Sequence, residues 1–162
     1  MRPGDSLLAI YLNDHLGAST GGLELARRAL RSNPDRELGR FLTRLVHEIE
    51  EDRTELRSIM WALGVKDDRV KLAAGWLGER AGRLKLNGRL RGYSPLSRVL
   101  ELEALIAGVE AKLALWRALR ALAPGEPRLD TAQLDRLATR GERQLEELRA
   151  RHGTAAPEAL SA

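Results

Sequence analysis

From residue 38 to residue 63 the chain places Leu38, Leu42, Leu45, Ile49, Leu56, Ile59 and Leu63 at alternating steps of three and four, with Asp52 at the one position that completes the series. At about 100° per residue, such spacing gathers the side chains on one face of a long helix and excludes a strand, whose faces alternate every second residue. Gly64 follows as a stop signal. A helix this long with one apolar face must bury that face against others, so the question becomes where the partners lie.

Three further stripes supply them. Leu8, Leu12, Leu16, Leu23, Ala26 and Leu30 recur before the Ser32–Pro34 break, and Asp5 is placed to cap that helix. Asn33 and Pro34 read as the cap and first residue of the second helix, with Asp35 and Glu37 favourably set against its positive end. Ser94 and Pro95 open a third long helix to about 123, with Val99, Leu102, Ile106, Val109, Leu113 and Trp116 as its face. Pro124–Pro127 stops it. Asp130 caps a last helix carrying Leu134, Leu137, Gly141, Leu145 and Leu148, expected to end near His152 with 153–162 as a disordered tail.

The expected fold is all-α: an antiparallel four-helix bundle with helices at about 5–32, 34–63, 95–123 and 130–152, a single domain over 5–152. The link of about two residues between the first two helices makes them antiparallel neighbours. The segment 66–94 is long enough to run the length of a bundle, and its own helix, around Asp68 to Lys85, is interrupted by Gly75, Gly78 and Gly82. It therefore reads as a crossover, with up-down-up-down as the competing topology. With 43% hydrophobic and only 4% aromatic residues, the composition also suits packed helices.

Against this apolar pattern the polar residues on inward faces stand out. His15 shares a face with Leu8 and Leu12, and Asp14 lies on its shoulder beside Tyr11; Asp52 holds a full core position and Glu48 sits one turn before it. Glu103 and Glu110 lie at the edge of the third helix's apolar face, whereas Glu101 points away and His47 faces solvent. Asp14, His15, Glu48 and Asp52 are thus expected to form a polar cluster in the core, and buried carboxylates need a counter-charge, which Arg80 or Lys112 can supply.

Two antiparallel helix pairs, a crossover and inward carboxylates together resemble the ferritin-like superfamily over residues 5–152. That resemblance implies a site for two metal ions, built from a Glu on each of two helices and Glu-x-x-His on each of the other two. This chain departs from it: three residues after Glu48 stands Glu51, three after Glu103 stands Ile106, and no Glu-x-x-His occurs. The metal ligands it could offer are His15, Glu48, Asp52 and Glu103, for iron or manganese.

Other chemistries have less support. The absence of cysteine excludes thiolate metal sites, disulfides and cysteine nucleophiles. Gly17–Gly22 has the composition of a phosphate loop but falls inside a helix, where small residues permit close helix approach. Trp61, Trp76 and Trp116 read as apolar anchors of the core. No window approaches the roughly 18 apolar residues of a membrane span, so a cytoplasmic protein is expected.

Residues 80–98 hold six Lys+Arg and no acid, as Arg80, Arg83, Lys85, Arg89, Arg91 and Arg98, while the remainder is close to neutral. The leading expectation is a non-catalytic interaction or scaffold bundle with no cofactor, with a second copy of itself or another protein as partner. The alternatives are a metal-dependent oxidase or hydroxylase with a non-standard site, and binding of nucleic acid or an acidic partner through 80–98.

Overall fold

The computed structural model describes residues 6–34, 36–67 and 93–161. Four long helices form the bundle: α1 (Leu7–Ser32), α2 (Arg36–Ala62), α3 (Pro95–Leu122) and α4 (Thr131–Leu160), with a single 3₁₀ turn at Ala123–Gly125. Among the described residues there is no strand. The helix expected around Asp68 to Lys85, with Trp76 and its three glycines, lies outside the described residues, as do Asp5 and Asp35.

Local chemistry sets the ends of these helices. The Ser94 hydroxyl accepts from the Ser97 amide, the Ser97 hydroxyl reaches back to the Ser94 amide, and Pro95 follows as a first helical residue that has no N–H to leave unpaired. The Asp130 carboxylate takes the amides of Ala132 and Gln133. At the end of α2, Gly64 adopts φ +71°, which brings its own amide to Trp61 O and that of Val65 to Met60 O.

Three ends differ from the sequence reading. Ser6 caps α1, through its hydroxyl and the Ala9 amide. Asn33 closes α1 instead of opening α2: its amide donates to Leu30 O and its side chain to Ala29 O, so α2 starts only at Arg36. The last helix runs past His152 to Leu160, because Ala155 is buried and Ala156 and Ala159 pack on the core, which gives this last stretch of α4 an apolar face of its own.

α1 pairs with α2 and α3 with α4, and α1 also packs on α3; α2 and α4 stand further apart. Arg28 beside Glu101 and Arg98 beside Asn33 make α1 and α3 antiparallel, and Glu48 beside Arg143 with Gln133 beside Glu55 does the same for α2 and α4. The directions are therefore up, down, down, up. Lys66 O receives the Asn13 side chain near the start of α1, whereas Tyr93 meets Asn33 at its end. The chain between 67 and 93 thus connects opposite ends of the bundle, as a crossover does.

The core has two apolar halves. One gathers Leu23, Ala26, Phe41, Leu45, Val99, Leu102 and Leu148; the other Leu12, Leu16, Leu56, Met60, Trp116, Leu119 and Leu134. The level between them is occupied by Asp52 of α2, Lys112 of α3 and Gln144 of α4, and by the small residues of α1 between Leu16 and Leu23. Gly141 permits close contact of α3 and α4 there, since a Cβ at this position would stand 2.9 Å from Leu113 Cδ2.

Candidate functional site: a buried ionic layer

Asp52 follows Ile49 and precedes Leu56 on the buried face of α2, so helical periodicity alone carries its carboxylate into the core, where it is 3% exposed. A carboxylate there requires compensation. Lys112 supplies it from α3, its Nζ donating to Asp52 Oδ2 and to Gln144 Oε1, both at 2.5 Å. Arg140 Nε of α4 stands 3.1 Å from the other oxygen. Gln144 passes the chain of contacts on: its Nε2 donates to Glu48 Oε2 at 2.8 Å, while Arg143 donates to Glu48 Oε1.

Burial pushes the Lys112 ammonium below the ordinary lysine range, because a charge loses its hydration there, and the adjacent Asp52 carboxylate opposes that shift. The layer continues outward along the α2–α4 seam. Arg140 also meets Glu51, and Arg44 meets Glu147. Long charged side chains thus span the gap between α2 and α4, which pack less closely than the other neighbouring helices.

The four residues expected to cluster are distributed over three environments. Glu48 and Asp52 belong to the ionic layer just described. Asp14 is exposed at the surface of α1. His15 is half-buried, edge-on to the Tyr11 ring with centroids 4.6 Å apart, and it lines a cavity that Asp52 also touches. Burial holds its imidazole below the usual histidine range, against the pull of Asp14. Of the two counter-charges considered, Lys112 is the one in place, and Arg80 lies outside the described residues.

The expected metal ligands do not converge. Glu103 is on the outer surface, bonded to His152 Nε2 at 3.0 Å, and Glu110 pairs with Arg149. Among the described residues no three His, Asp or Glu side chains come together as a metal would require. The ionic layer is also chemically unsuited to a metal pair, since an ammonium and guanidinium groups offer hydrogens and no lone pairs.

Glu101 is corrected in the opposite direction. Instead of facing solvent it is 3% exposed, accepting from Arg28 Nε and from the Tyr93 hydroxyl, each at 2.9 Å. Tyr93 in turn accepts from Asn33 Nδ2, whose Oδ1 takes Arg98 Nε at 2.7 Å. Burial raises the Tyr93 phenol to about 12, so it remains a donor to the carboxylate. This second knot clamps the start of α3 to the end of α1. Arg98 is the one described member of the basic segment, and Arg80, Arg83, Lys85, Arg89 and Arg91 lie outside the described residues.

Gln144, Arg140 and Arg143 were not singled out in the sequence. Gln144 could have been, since it lies three residues after Gly141 and four before Leu148, on the same face. Trp61 was misjudged: at 83% exposed it is no core anchor, whereas Trp116 is fully buried. Leu7, Ile10 and Leu122 are also exposed, toward the end of the bundle where α1 begins and α2 and α3 finish.

No family model, no curated protein and no solved structure matches this chain.

Proposed function

We propose that the chain is a ferritin-like bundle in which an internal ammonium takes the place of a metal centre, and that it acts as a non-catalytic interaction or scaffold domain. The up-down-down-up order with a crossover between its second and third helices supports the ferritin-like reading, because one long crossover is that architecture's distinguishing connection. One observation carries the functional part. The ammonium of Lys112, with Arg140 opposite, already neutralises the Asp52 carboxylate in the core.

A metal oxidase needs open coordination positions and ligands free to hold a cation. Here each inward carboxylate is committed to a fixed cation: Asp52 to Lys112 and Arg140, Glu48 to Arg143. The exposed apolar side chains Leu7, Ile10, Trp61 and Leu122, carried on helix ends at one end of the bundle, support an interaction role, since exposed large apolar groups favour association. Elemental analysis of protein purified without chelator tests the reading. It should show no stoichiometric iron or manganese, and a stoichiometric metal that disappears in Asp52→Asn would overturn it.

A further inference from the structure

Between α1 and α3, at the level of the ionic layer, lies a cavity of about 410 Å³ whose walls are mostly apolar. Its volume falls in the range of small-molecule sites. Small residues on both helices create it. The register that sets Arg28 beside Glu101 brings Gly21 and Gly22 to the level of Ala107 and Gly108. At Gly22 and at Gly108 a Cβ would meet nothing within 4 Å. The small residues of Gly17–Gly22 therefore leave room here, where close helix approach was expected.

One charged group on the wall is incompletely matched. Arg53 is half-buried and its guanidinium is held by two neutral hydroxyls, Ser19 Oγ and Thr20 Oγ1, both at 3.0 Å. No carboxylate of the described residues forms an ion pair with it. Of the other cations that line it, Arg28 is matched by Glu101 and Lys112 by Asp52, while Arg31 is exposed to solvent.

We propose that this cavity binds one long-chain carboxylic acid, its hydrocarbon tail between Gly22 and Gly108 and its head group toward Arg53. A single unbranched chain suits a trough bounded by two antiparallel helices, where its burial is favoured in proportion to the apolar area covered. An anionic oxygen head suits a guanidinium that has only neutral hydrogen-bond partners. The site is independent of whether the ionic layer excludes metals, so either conclusion can fail without the other.

The test uses the full chain, stripped of lipid, with oleate as the probe, read by displacement of a fluorescent fatty acid and by native mass spectrometry. One oleate per chain is expected. The double variant Gly22→Leu with Gly108→Leu fills open space, so it should stay folded, with an unchanged or raised Tm, and lose oleate at least tenfold. Arg53→Gln should weaken oleate by about tenfold and leave oleyl alcohol unchanged, since only the charged head uses the guanidinium. Absence of oleate binding to the wild-type chain would overturn the proposal, and so would oleate affinity indifferent to the two leucines. Finding the cavity covered by residues 68–92 or by a second copy would overturn it as well.

Discussion

At Asp52 one side chain interrupts an otherwise apolar face, and the consequences follow from the difference between a paired and an unpaired buried charge. Lys112 hydrogen-bonds one carboxylate oxygen, and Arg140 stands within ion-pair distance of the other without a hydrogen bond to it. Asp52→Ala leaves the Lys112 ammonium in the core without its counter-charge, and should cost about 3–5 kcal/mol in urea unfolding at pH 7. Asp52→Leu combined with Lys112→Met removes both charges and should recover part of that loss, with about 1–3 kcal/mol remaining because the buried Gln144 carbonyl loses its donor. A loss in the double variant as large as in Asp52→Ala would mean that the pair does more than neutralise itself. His15 is a second residue-scale case. Its imidazole is held below the ordinary value of 6.5 by burial, so between the folded and unfolded pKa the unfolded chain binds more protons. Stability should therefore fall as pH drops from 7.5 toward 5, and His15→Leu should flatten that slope in paired urea titrations at the two pH values.

The four described helices were legible from apolar residues recurring at helical spacing, even across the Asp52 interruption in α2, and their ends are legible where the end is a backbone requirement. Gly64 at φ +71° and the Ser94–Pro95 cap are such cases. Ser94→Ala should cost about 1 kcal/mol by loss of the reciprocal cap, measured by thermal or urea unfolding. What was not legible depended on neighbours in space. Asn33 has the composition of an N-cap, yet it ends α1 because Tyr93 and Arg98 hold its side chain from 60 or more residues away. Glu101 looked solvated because its partners Arg28 and Tyr93 come from other parts of the chain. Asp14 and His15 are consecutive, but a helix turns about 100° between them, which leaves one at the surface and the other against Tyr11. The core positions of Asp52 and Glu48 were readable from α2 alone; the identity of what meets them, Lys112, Gln144, Arg140 and Arg143, depends on how α3 and α4 are registered against it. Gly141→Ala tests that register, because its Cβ would press on buried Leu113, and a destabilisation of about 1–3 kcal/mol is expected.

For the molecule as a whole, the up-down-down-up bundle brings three helices to one level and places an ammonium there. The ionic layer lies between the two halves of the apolar core and joins α2, α3 and α4 at one level. The cavity beside it comes from small residues on α1 and α3 that no side chain fills. Trp61, at the exposed end, belongs to neither feature: Trp61→Glu should change folding stability by no more than about 0.5 kcal/mol, and any effect it has should fall on association, read by sedimentation. The central claim, that a lysine stands where a metal would, is tested most directly by crystals soaked in iron(II) and in manganese(II) and measured at both absorption edges. The account predicts no anomalous peak between Asp52, Glu48 and Gln144, with density for the Lys112 ammonium against Asp52. A peak at that position, with Lys112 turned away, would contradict it.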